Sequence, residues 1–214
     1  MNTTRERWTA LCQKLGAKDN SSTGITISGT FYELYRTYSG SDRHYHNFIH
    51  ISDGLGPLDE IRHLAEDPDS LEAAWWFHDI IYDTKNSTNE EESAIFANTA
   101  LQSLGITIAP RVRVVKLIAA TKHDHIPDRK DLQLIIDIDL ASLAVTPDVF
   151  DQNTANIRKE YAWVSDEDFR IGRVKFFQKL LKGRPSIYLT DYFRNKYEAQ
   201  AQENLKMAMT ILDN

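Results

Sequence analysis

The sequence predicts an all-α fold, and three observations carry that prediction. Apolar residues recur at helical spacing through nearly every segment. Helix start and stop signals punctuate the chain at intervals that suit helices rather than strands. The one run with strand-like isoleucine content, LQLIIDIDLASLAV (132–145), is long and carries aspartates, which fits a buried helix better.

The elements follow in order. RERWTALCQKLG (5–16) sets Trp8, Leu11 and Leu15 on one face and stops at Gly16. SSTGITISGT (21–30) is rich in Ser, Thr and Gly and reads as a loop. TFYELYRTYS (30–39) restarts a helix, and SGSD (39–42) turns the chain. Gly54, Gly56 and Pro57 predict an interruption or kink before LDEIRHLAED (58–67). SLEAAWWFHDIIYD (70–83) is apolar on nearly every side, which predicts a central, fully buried helix. Ser87 with Glu90 fits a capping box opening a helix that Gly105 closes. APRVRVVKLIAATKHDH (109–125) begins with a proline in the favoured first turn. After the buried run at 132–145, three amphipathic helices are expected at 147–164, 166–183 and 191–213. No repeat of ~20–50 residues is visible and no long linker divides the chain, so residues 1–214 are expected to form one domain.

Composition narrows the function classes. The 214 residues are 42% hydrophobic and 26% charged, an ordinary globular balance. A net charge of −6 argues against a protein that coats nucleic acid or an anionic membrane. The single cysteine, Cys12, rules out an intramolecular disulfide and a thiolate zinc knuckle. Its apolar neighbours place it as a packed core thiol. The N-terminal residues lack the apolar core of a signal peptide, and no window approaches the ~20 apolar residues that cross a bilayer. A soluble cytoplasmic protein is expected.

The chemistry concentrates in a few places. RHYHNFIHI (43–51) holds three of the seven histidines, and His46 and His50, four apart, would share a face of a helix. Packing alone explains such a pair about as well as a metal does. The adjacent His78 and Asp79 sit inside the most apolar segment of the chain. A buried carboxylate without partners costs several kcal/mol, so Asp79 must be paired, hydrogen-bonded or bound to a cation. Asp137 and Asp139 repeat the puzzle in an aliphatic run with no basic neighbour. A divalent cation shared between imidazoles and carboxylates solves both problems. Nitrogen with carboxylate and no thiolate suits manganese, iron, cobalt, nickel or zinc, with magnesium possible, rather than calcium. His123, Asp124 and His125 add a third cluster, whose alternative reading is a solvated helix end.

A first His, then a His-Asp pair on a buried segment, then a distant Asp in an aliphatic helix resembles the H…HD…D pattern of the HD superfamily of metal-dependent phosphohydrolases. The blocks RHYHNFIHI, AAWWFHDIIYD, NEEESA, AATKHDH, DIDLASLA, IRKEY, GRVKFF, PSIY and ENL are similar to successive blocks of one branch of that superfamily, from about residue 31 onward. The resemblance implies an HD-type helical bundle with the metal at its centre. It implies His50, His78, Asp79 and Asp139 as ligands, with His46 an alternative to His50 and Asp137 an alternative to Asp139. Such a set leaves coordination positions open, as a catalytic ion requires. The ion would activate water for attack on a phosphoester or phosphoanhydride of a small, nucleotide-like substrate. Asp79, Glu90, Lys122 and Arg158 are then the candidate catalytic residues. Arg43, His46, His123, His125 and Arg173 are the candidate substrate contacts. A surface salt bridge is the competing role for each cation, and capping is the competing role for Glu90. An HD-type di-iron oxygenase and a non-catalytic nucleotide-binding sensor are the alternative functions. No oligomeric state is assigned.

Overall fold

A computed structural model describes residues 2–18 and 25–212. Residues 21–24, the start of the expected Ser/Thr/Gly loop, lie outside them. Among the described residues the regular structure is helical: α1 (Asn2–Lys14), α2 (Ile27–Tyr38), α3 (Phe48–Ile61), α4 (Pro68–Phe77), α5 (Asn89–Ser103), α6 (Ile108–Ala120), α7 (Lys130–Leu140), α8 (Pro147–Glu160), α9 (Asp166–Lys182) and α10 (Asp191–Leu212). Short 3-10 turns follow α3 and α7. Among the described residues no helix is long and apolar enough to cross a membrane. The chain groups into two compact units, 1–135 and 136–214, with the division inside α7.

The first unit is organised around α4. Every residue from Leu71 to Phe77 is buried, as the apolar composition of the segment requires. Its neighbours are α1, α3, α5 and α6. Trp8 of α1 meets Trp76 and Phe77 edge-on at 5.6 Å, and Phe31 of α2 meets Trp76 at 6.2 Å. Offset and edge contacts of this kind add to the stabilisation that aromatic burial supplies.

The helix boundaries have local causes. Asp67 caps α4 by accepting from the Ser70 amide at 3.0 Å, and Pro68 occupies the first turn, where its missing N–H costs nothing. The buried Asp131 of α7 accepts from the Glu66 and Asp67 amides at 2.8 and 2.9 Å, so it fixes the entry into α4. Gly16 and Gly105 adopt φ of +83° and +75°, the left-handed conformation that ends α1 and α5 as expected. The capping box at Ser87 and Glu90 does not form. Thr88 is the residue before α5, and its hydroxyl bonds to Asn86 and Glu92 instead.

The expected interruption at Gly54–Pro57 is also absent. The helix α3 runs through Pro57 without a break. Gly54 serves packing, since a Cβ there would lie 2.0 Å from the Trp75 ring. That approach lets the Trp75 indole donate to the Ile51 carbonyl at 2.8 Å. Inside the same unit the buried Glu72 of α4 accepts from Arg7 and Arg62 at 2.7 and 2.8 Å. Burial opposes the charge of Arg7, but its hydrogen bonds to Asp59 and Glu72 hold its pKa above the usual value.

The second unit packs α10 against α9 and against the 3-10 turn Ala141–Ala144. Phe150, Phe177, Tyr188, Phe193 and Leu205 are buried in it. Its non-helical segment Ile187–Thr190 is held by two acids. Glu198 accepts from the Ile187 and Tyr188 amides at 2.9 and 3.1 Å, and Asp137 accepts from the Leu189 and Thr190 amides at 2.7 and 2.8 Å.

Two glycines test the packing argument. Gly54→Ala forces a methyl group into the Trp75 ring and should destabilise the protein by about 1–3 kcal/mol. Gly172→Ala, on an exposed stretch of α9 with nothing within 4 Å of the new Cβ, should stabilise it by about 0.5–1 kcal/mol. Denaturant midpoints moving in opposite directions at unchanged slope are the expected result.

Candidate metal centre

His78 and Asp79 do not lie within a helix, contrary to the expectation from their segment. The helix α4 ends at Phe77, and His78 and Asp79 form the turn that leaves it. The Ile80 amide closes that turn on the Phe77 carbonyl at 3.1 Å. The departure matters, because adjacent residues of a continuing helix point about 100° apart and cannot face one centre. In the turn, Asp79 Oδ2 comes within 3.1 Å of His78 Nε2.

His50 joins them from the first turn of α3. Asn47 caps that helix, accepting from the Ile49 and His50 amides at 2.8 and 3.3 Å. His50 Nε2 then lies 3.2 Å from His78 Nε2 and 3.7 Å from Asp79 Oδ2. Both imidazoles are buried, and the Asp79 side chain is 15% exposed. His78 Nδ1 sits 2.8 Å from the Trp75 carbonyl, which can only accept, so this nitrogen carries the proton. In the neutral ring Nε2 then presents its lone pair, as a metal-ligating histidine held by a backbone carbonyl would. Metal–nitrogen bonds of ~2.1 Å separate neighbouring donors on one ion by about 3 Å. The donor set therefore fits a divalent cation.

Aromatic rings frame the cluster. Trp75 stacks on His78 at 4.3 Å, and Tyr45 lies 5.2 Å from His50. His46 does not share a helix face with His50, since it precedes the Asn47 cap. Its ring stacks on Tyr82 at 4.0 Å and lies 5.9 Å from the His50 ring. Trp75 and Tyr82 were not singled out from the sequence. The aromatic residues three before His78 and three after Asp79 are the available signal.

The other expected site residues divide. Glu90 opens α5 half-buried, and burial raises its carboxyl pKa, with the Asp79 charge adding to the effect and Lys122 opposing it. Lys122 donates to the Ser87 carbonyl at 2.9 Å and to Glu91. Arg43 donates to main-chain carbonyls rather than to a phosphate position. His123 follows α6 half-buried in a left-handed conformation, φ +55°. His125 is exposed and pairs with Asp124.

Four candidates belong to the second unit. Asp139 is half-buried on α7. Asp137 is fully buried, and burial pushes its carboxyl up to about 6 although Thr190 and the Leu189 and Thr190 amides work the other way. Both of its oxygens accept these hydrogen bonds, so the carboxylate is occupied by the chain itself. Arg158 is likewise committed. It pairs with Asp166 and donates to the Tyr161 and Val164 carbonyls at 2.7 and 3.0 Å, closing the turn between α8 and α9. Arg173 lies 4.6 Å from the Phe177 ring centre.

Comparisons with models of known protein families, with curated proteins and with solved structures each return no match.

Asp137 and Arg158 give a prediction. Asp137→Ala strips the acceptor from two amides, a loss of about 2 kcal/mol once relief of the buried charge is counted. Arg158→Ala should cost about 1 kcal/mol, because its acidic partner is exposed and the carbonyls it serves can turn to water. Both variants should keep the wild-type metal content, measured by elemental analysis after reconstitution. Loss of the ion from either variant would restore it as a residue of the centre.

Proposed function

We propose that this chain is a metal-dependent phosphohydrolase acting on a small, nucleotide-like phosphoester or phosphoanhydride. In this reading His50, His78, Asp79 and Asp139 hold one divalent transition-metal ion. The observation that supports it best is the convergence of two buried imidazole Nε2 atoms and one carboxylate oxygen within 3.7 Å. Manganese, iron, cobalt, nickel and zinc suit this nitrogen and carboxylate set.

When bound, such an ion polarises a phosphoryl oxygen and lowers the pKa of water to near neutrality. The residues of the chain do the rest. The Trp75 carbonyl fixes which nitrogen of His78 faces the centre. The Trp75 and Tyr45 rings exclude bulk water from the two imidazoles, which strengthens each electrostatic contact there. Glu90, with its carboxyl displaced toward neutrality by burial and by Asp79, is the side chain suited to take or return a proton.

The test combines metal analysis with turnover. Wild-type protein should bind about one ion per chain, and His78→Ala and Asp79→Ala should lose it while keeping a helical far-UV spectrum. Phosphate release is then measured on a panel of nucleotides and phosphomonoesters with each metal restored. In solvent labelled with oxygen-18, the label should enter the released phosphate or pyrophosphate. Equal metal content in wild type and His78→Ala would remove the ligand assignment. No phosphate release with any metal, together with oxygen uptake by the iron form, would favour the oxygenase class instead.

A further inference from the structure

Arg43 lies in the turn ahead of α3, outside any helix. Its Nη1 donates to the His46 carbonyl at 3.1 Å and to the Asp79 carbonyl at 2.7 Å. Its Nη2 donates to the Ile80 carbonyl at 2.9 Å. The guanidinium also lies 5.5 Å from the Tyr38 ring centre and 5.4 Å from that of Tyr82. Three of its five N–H donors are thus aimed at main chain, and aromatic rings hold the plane of the group.

The three carbonyls are not a random set. The His46 carbonyl belongs to the segment that leads through the Asn47 cap to His50. Those of Asp79 and Ile80 belong to the turn that carries His78 and Asp79 out of α4. Had α4 continued, both would have accepted from amides one turn further on. The chain leaves the helix, and Arg43 supplies donors in place of those amides.

We propose that Arg43 is the positioning residue of the candidate centre. It ties the approach to His50 to the exit from α4, and so sets the separation of His50 from His78 and Asp79. This takes the place of the phosphate contact that the family resemblance implies. The geometry suits arginine alone among the cations, since a lysine ammonium is a point charge without the planar fork that spans three carbonyls. The consequence for ion affinity rests on the metal reading of the site, whereas the clamp on the turn does not.

The experiment uses the full chain as wild type, Arg43→Ala and Arg43→Lys, with two readouts. The first is Co(II) binding by calorimetry together with the visible absorption of the Co(II) form. Removing a group that orients metal ligands typically weakens binding ~10–100-fold. Arg43→Ala should fall in that range and show altered Co(II) bands, and Arg43→Lys should recover only part of the loss. A role limited to stability would lower the unfolding midpoint and leave the bands unchanged. The second readout is hydrogen exchange of the Ile80 amide in metal-free protein, which should accelerate in Arg43→Ala more than the amides of α9 do. Wild-type affinity and bands in Arg43→Ala, with unchanged Ile80 exchange, would overturn the proposal. Should wild type bind no Co(II), the metal reading fails, and the exchange result alone decides the clamp. If Arg43→Ala does not fold, Arg43→Lys carries both readouts, and wild-type behaviour in it would likewise overturn the proposal.

Discussion

The first unit depends on how its most apolar helix stops. The helix α4 is buried on every side, and a buried helix end leaves carbonyls that must find donors. Here side chains supply them. The Asp79 and Ile80 carbonyls take the Arg43 guanidinium, and the Tyr38 hydroxyl donates to the Trp76 carbonyl at 3.1 Å. Because these donors come from α2 and from the turn before α3, the end of α4 is fixed by its neighbours. The cluster of His50, His78 and Asp79 is a by-product of that termination. Two adjacent polar residues can reach one centre only where the helix gives way to a turn.

A second device recurs in both units: a carboxylate that accepts two consecutive backbone amides. Asp131 does this for Glu66 and Asp67, Glu198 for Ile187 and Tyr188, and Asp137 for Leu189 and Thr190. The amides involved lie in non-helical segments where no ladder could satisfy them. An acidic chain therefore has a use for buried aspartates that involves no metal. Asp137 on α7 is such a case, with both oxygens committed to main chain.

Much of this was legible in the sequence, and the parts that were not share a cause. The helical periodicity, the buried character of residues 71–77 and the glycine stops at 16 and 105 are local properties, and they appear as read. The grouping of His50 with His78 and Asp79 follows from the resemblance to the H…HD…D pattern, since the residues alone mark only the His-Asp pair as polar in apolar surroundings. What failed depended on a partner distant in sequence. Gly54 reads as a breaker until Trp75 is seen against it. The sequence suggests helix past Phe77 because the arginine that ends it lies 36 residues before Asp79. Asp137 looks unpaired until Leu189 and Thr190, 52 and 53 residues later, are placed on it.

The same reasoning explains why cations are poor guides to a phosphate site in this sequence. Arg7, Arg43, Arg62 and Arg158 each direct the guanidinium to carboxylates or carbonyls of the protein. An arginine fork can serve two or three main-chain carbonyls at once, so a helical chain with many tight exits consumes arginines structurally. Charge balance points the same way, since acids outnumber Lys and Arg by 31 to 25. If the centre acts on a phosphate, these four guanidinium groups are already engaged by the protein and poorly placed to meet it. A bound ion would then supply positive charge at the His50–His78–Asp79 cluster, which makes metal content the quantity on which the functional reading turns.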